Sequence, residues 1–75
     1  MKETITLTTR QMDVLVCASR GITNKGIAKI LFISPSTVKA HMSEVLKKFG
    51  VKSRIQAIII AKDKGLIPPQ DSEQP

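Results

Sequence analysis

The chain predicts an all-α fold of four short helices, and three observations carry that expectation. Apolar residues recur at helical spacing, as at Val38, Met42, Val45 and Phe49, which a period of ~3.6 residues gathers on one side. Thr8, Thr23, Ser34 and Ser53 stand where helix starts need an N-cap hydroxyl. Gly21-Ile22, Gly50-Val51 and Gly65-Leu66 have the form of left-handed helix ends sealed by an apolar residue. Aromatic residues make up 3% of the chain, with no Trp or Tyr, so the core must be aliphatic.

Residues 1–6 show no periodicity and read as a leader or the remnant of a linker. The folded domain spans 7–67. Thr8-Thr9-Arg10-Gln11 has the form of a capping box, opening a first helix from about Thr9 to Arg20 with Met12, Leu15, Val16 and Ser19 facing inward. Thr23 caps a shorter second helix, from Asn24 to Leu31 or Phe32, that buries Ile27, Ala28 and Leu31. Gly26 lies within it and costs ~1 kcal/mol against Ala, so this helix depends on packing. Only Phe32 and Ile33 separate it from Ser34-Pro35, where a hydroxyl cap and a proline at the first helical position start a third helix running to Phe49. At ~1.5 Å per residue it is roughly 22 Å long, enough to lie in a groove. Two helices joined so tightly, the second longer, fit a helix-turn-helix.

Ser53-Arg54-Ile55-Gln56 offers another capping box and opens a fourth helix to about Lys64. Its apolar residues fall on two sides, with Ile55, Ile58 and Ile59 on one and Ala57, Ile60 and Ala61 on the other. A domain this small cannot cover both, so one side packs inward and the other meets a second copy or another domain. From Pro68 the double proline and polar residues to Pro75 predict a disordered tail.

Seventy-five residues make one small domain with a modest core, too small for a supported active-site cleft. No nucleophile and base, carboxylate pair or metal cluster appears in the sequence, so an enzyme is not expected. Cys17 is the single cysteine and His41 the single histidine, which excludes an internal disulfide, leaves zinc without ligands and suits a reducing cytoplasm. Cys17, among Val14, Leu15, Val16 and Ala18, reads as a small core residue. The apolar run Ala57 to Ala61 is far too short to cross a bilayer, and no signal-peptide pattern opens the chain. No cofactor, metal or membrane is expected.

The net charge is +6, and its placement matters more than its size. Between Arg20 and Arg54 stand eight Lys or Arg and one acid, Glu44, a regional charge of +7, while the rest of the chain carries −1. Such segregation favours a polyanionic partner. On the third helix, Ser36, Lys39, Ala40, Ser43 and Lys47 share the side opposite the apolar stripe. Short and basic residues without an acid let a helix approach a duplex closely; an ordinary solvated amphipathic face is the alternative. His41 lies at the margin of the buried side, placed to pack or to touch phosphate, and Glu44 is expected to pair with Lys48 at i+4. Scarce aromatics argue against single-stranded nucleic acid, whose bases need stacking platforms.

Several blocks in register then resemble the LuxR-type helix-turn-helix domain, also called the GerE, FixJ or NarL effector domain. They are Leu7-Thr8-Thr9-Arg10-Gln11, Asn24-Lys25-Gly26-Ile27-Ala28, Ile33 to His41, and Lys48 to Arg54, with Ala57 and Gly65-Leu66. The resemblance covers about Leu7 to Ile67. It implies a compact four-helix domain of a bacterial transcriptional regulator, with a scaffold second helix, a third helix in the major groove and a fourth used for dimerisation. Carried onto this sequence, it implies base reading by Lys39, Ala40 and Ser43. Phosphate contacts are implied at Thr23, Asn24, Lys25, Ser36, Thr37, His41 and Lys47, and dimerisation at Ala57, Ile60, Ala61 and Lys64. The implied partners are double-stranded DNA, a second copy, and RNA polymerase or an upstream regulatory domain, in the cytoplasm. A protein-interaction module that heterodimerises with a related regulator is the competing expectation. The chain departs from the family's usual pattern at Gln11 and Gly26, where Glu, and Glu or Gln, are usual, and at Phe49, where Leu is usual. Gln11 keeps the cap but loses a charge able to orient a neighbouring basic residue.

Overall fold

A computed structural model describes residues 5–67, so the expected disordered tail and residues 1–4 of the expected leader lie outside the described residues. Four helices follow in order, α1 (Thr9–Ser19), α2 (Asn24–Leu31), α3 (Pro35–Phe49) and α4 (Arg54–Asp63). Each starts on the hydroxyl read from the sequence. Thr8 Oγ1 accepts from Gln11 N at 3.0 Å while Gln11 Oε1 accepts from Thr8 N at 3.1 Å, a complete capping box. Thr23 Oγ1 accepts from Gly26 N at 3.1 Å and Ser34 Oγ from Thr37 N at 3.1 Å. Ser53 Oγ accepts from Gln56 N at 3.2 Å, but the expected reciprocal bond is absent. Gln56 Oε1 instead lies 3.4 Å from both Lys52 N and Ser53 Oγ, so α4 has half a box.

All four helices end in the same way, with a backbone amide reaching back five residues to a carbonyl: Ile22 to Cys17, Ile33 to Ala28, Val51 to Leu46 and Leu66 to Ala61. The residue before each of those amides has positive φ. Gly21, Gly50 and Gly65 supply it without strain, whereas at the end of α2 it is Phe32, at φ 59°. The left-handed turn at Phe32 swings the chain from α2 into α3.

The helix α3 packs against each of the other three, and α1 also packs on α2 and α4. The core around it consists of Val14, Leu15 and Ala18 from α1, Ile27 and Ala28 from α2, Val38, Met42 and Val45 from α3, Ala57 and Ala61 from α4, and Ile67. The buried stripe of α1 is Gln11, Val14, Leu15 and Ala18, displaced one residue from the expected Met12, Leu15, Val16 and Ser19. Residues 14–18 are all apolar or small, so their spacing leaves the rotation of α1 open, and packing on α3 decides it. Leu31 and Phe49 are half-buried.

The largest correction concerns α4. Ala57 and Ala61, expected at a dimer contact, have no accessible surface and lie against the domain. Their short side chains let α4 come close to the rest of the core. Ile60 is half-buried at the edge of this contact, and Lys64 is exposed as the C-cap. The face turned outward carries Ile55 and Ile59, 69% and 59% exposed.

Candidate nucleic-acid interface

Pro35 is the first residue of α3 and Gly50 its left-handed C-cap, and Val38, Met42 and Val45 turn one side of the helix into the core. A period of ~3.6 residues then forces Ser36, Lys39, Ala40, Ser43 and Lys47 to the other side. All five are exposed, as is Thr37. The face runs from Ser36 to Lys47 along a helix of 15 residues and carries two lysines, two serine hydroxyls and one methyl. At its start the Ser34 Oγ lies 2.9 Å from Thr37 Oγ1 and 3.3 Å from Ser36 Oγ, so the cap gathers three hydroxyls. His41 is half-buried at the margin.

Glu44 does not pair with Lys48. Its carboxylate lies 3.9 Å from Lys47 Nζ, an exposed i,i+3 pair of the kind worth ~0–1 kcal/mol. Lys48 turns the other way, toward α1 and the segment before it. Its Nζ donates to Gln11 Oε1 and to the Thr6 carbonyl, both at 2.8 Å, across 37 and 42 positions of sequence. The basic residue near Gln11 is therefore Lys48, held by a neutral amide rather than an ion pair.

The first turn of α2 holds Thr23 and Lys25 exposed and Asn24 half-buried. Asn24 Oδ1 accepts a 2.7 Å hydrogen bond from Arg54 Nη2 at the start of α4. Sequence reading missed Arg54 as a member of this cluster, since no local spacing links residues 30 positions apart. With α2 packed on α3, the expected base-reading and phosphate-contacting residues fall on two adjoining helices. The expected dimerisation residues are not brought together on a free surface. Acids are missing from the first turn of all four helices, leaving their positive poles uncompensated. Among the described residues no group of His, Cys, Asp and Glu could hold a metal, and no helix is long and apolar enough to cross a membrane.

Residues 5–61 match the family model described as bacterial regulatory proteins, luxR family. The nitrate/nitrite response regulator protein NarP of Escherichia coli is 46% identical over 54 residues, which are 72% of this chain and 25% of that protein. A putative HTH-type transcriptional regulator of Mycobacterium tuberculosis is 44% identical over 59 residues, 79% of this chain but 7% of the relative. The chain thus spans a small part of the curated relatives it matches. Among solved structures, that of the transcription factor GerE superposes with a TM-score of 0.80 at 32% identity, covering 88% of this chain and 97% of GerE. A Vibrio cholerae VqmA–ligand–DNA complex gives a TM-score of 0.78 at 34% identity over 87% of this chain and 28% of that one.

Proposed function

Since the chain belongs to the luxR family of bacterial regulatory proteins and is a helix-turn-helix domain of DNA-binding transcription regulation, we propose that it reads double-stranded DNA by laying α3 in the major groove. The observation that carries this reading is the exposed face of Ser36, Lys39, Ala40, Ser43 and Lys47, whose one neighbouring acid, Glu44, lies at its edge beside Lys47. Lys39 donates to guanine edges, Ala40 packs its methyl on a thymine methyl, and Ser43 bonds a base edge. Thr23, Asn24, Lys25, Ser36, Thr37, His41 and Lys47 hold phosphates, which set register and most of the affinity without sequence information.

A second copy docks on the outward face of α4, through Ile55 and Ile59 rather than the buried Ala57 and Ala61. Paired domains of this kind meet half-sites about one helical turn apart. A VqmA dimer is among the similar structures, with a TM-score of 0.81 at 33% identity over 89% of this chain, which supports pairing here.

The test separates reading from holding. Sites selected from random duplexes supply the specific DNA, and a scrambled duplex the control. Lys39→Ala is expected to relax preference at about one base position, by ~1–3 kcal/mol, and Lys47→Ala to weaken both duplexes alike and flatten the salt slope by about one. Equal losses on both duplexes for both variants would contradict this division. A contact that is chiefly between proteins would respond weakly to salt, whereas the DNA complex should weaken steeply.

A further inference from the structure

The bond between Arg54 and Asn24 joins two helices whose backbones do not come close together. No Cα of α2 lies within 8 Å of a Cα of α4, yet Arg54 Nη2 reaches Asn24 Oδ1 at 2.7 Å, and the pair is partly buried. The long guanidinium side chain spans the distance between the two backbones. Its position is electrostatically adverse, since Arg54 opens α4 at the positive end of the helix dipole, and no acid occupies the first turn of either helix. For folding alone Asp would serve better at position 24, offering a charge-assisted bond to Arg54 and a favourable charge at the start of α2. Asn offers what Asp lacks. Arg has no acceptor, so the bond it makes fixes Oδ1 toward α4 and leaves the two Nδ2 hydrogens on the other side of the amide.

We propose that Arg54 is a positioning residue for DNA binding: by holding Asn24 Oδ1 it aims Asn24 Nδ2 as a donor to a backbone phosphate. This rests on the DNA-binding reading above and extends it to a residue of α4 that faces no base. The effect is independent of sequence, because phosphates are the same on every duplex. It also makes the two residues one functional unit, so their losses are coupled.

Affinities of wild type, Arg54→Ala, Arg54→Lys, Asn24→Ala, Asn24→Asp and the Arg54→Ala/Asn24→Ala double variant are measured on selected and scrambled duplexes, well below each unfolding midpoint. Arg54→Ala and Asn24→Ala should each weaken both duplexes about 2- to 10-fold, the worth of one hydrogen bond. The double variant should be no weaker than the worse single one, and Arg54→Lys should fall between Arg54→Ala and wild type. The double variant is the decisive arm: a purely structural bridge leaves each single variant binding like wild type below its unfolding midpoint, and separate phosphate contacts by Arg54 and Asn24 would give additive losses. Asn24→Asp, whose new carboxylate repels phosphate in either case, should keep an unfolding midpoint at or above wild type with binding weakened at least as much as in Asn24→Ala. Additive losses in the double variant, or unchanged binding by Asn24→Asp, overturn the proposal. If Arg54→Ala fails to fold, the Asn24 variants and Arg54→Lys still decide it. Wild type that binds no duplex at low ionic strength would overturn the DNA reading itself; a wild type that binds beside an equally strong Asn24→Ala overturns only the role of Arg54.

Discussion

Replacing Ala61 by Leu tests the rotation of α4 about its axis. Ala61 has no accessible surface and belongs to the cluster built on Val14, Leu15 and Val45. Three added carbons have no room there without displaced rotamers or a shift of α4, at a cost of about 1–3 kcal/mol. A domain of 75 residues has roughly 4–11 kcal/mol of stability in all, so a large share is lost while the fold survives. At about 4–8 °C per kcal/mol for a domain of this size, a loss near 2 kcal/mol lowers the melting temperature by roughly 8–16 °C. Ile59, at 59% exposure, gives the contrast: Ile59→Gln should change monomer stability by no more than ~0.5 kcal/mol. It should instead weaken self-association. Thermal unfolding followed by circular dichroism at concentrations where the monomer dominates, with sedimentation equilibrium over a concentration series, separates the two effects. An Ala61→Leu variant that melts with wild type and associates more tightly would place Ala61 on the outside and refute the observed register.

The helix ends give a pair of opposite expectations. Phe32 is 93% exposed at φ 59°, so Phe32→Gly loses almost no burial, relieves the left-handed strain and should raise stability by about 1 kcal/mol in urea titration. Gly50 has open space around a built Cβ but φ of 72°, so Gly50→Ala should lower it by about 1–2 kcal/mol from backbone conformation alone. Lys48→Met removes the bonds to Gln11 and the Thr6 carbonyl and should cost about 1 kcal/mol, read as a lower urea midpoint at unchanged slope. Gln11→Glu should move the midpoint the other way by giving Lys48 a charged partner, with a gain that shrinks as salt rises.

The four helices and their limits were legible in the chain because a cap or a left-handed end is a bargain among residues at most five apart. Thr8 with Gln11, Ser34 with Thr37 and Gly50 before Val51 settle their hydrogen bonds locally, whatever the rest of the molecule does. The exposed face of α3 was legible for a related reason, since Val38, Met42 and Val45 form a single stripe whose opposite side is then determined. The rotation of α4 was not legible, as five apolar residues in succession from Ala57 to Ala61 carry no angular information. Only the closeness with which its two alanines allow the helix to approach the core selects the inward side. Nor could spacing pair Lys48 with Gln11 or Arg54 with Asn24, across 37 and 30 positions. Long basic side chains reach whatever acceptor the fold brings near, and which acceptors come near is decided when the helices pack.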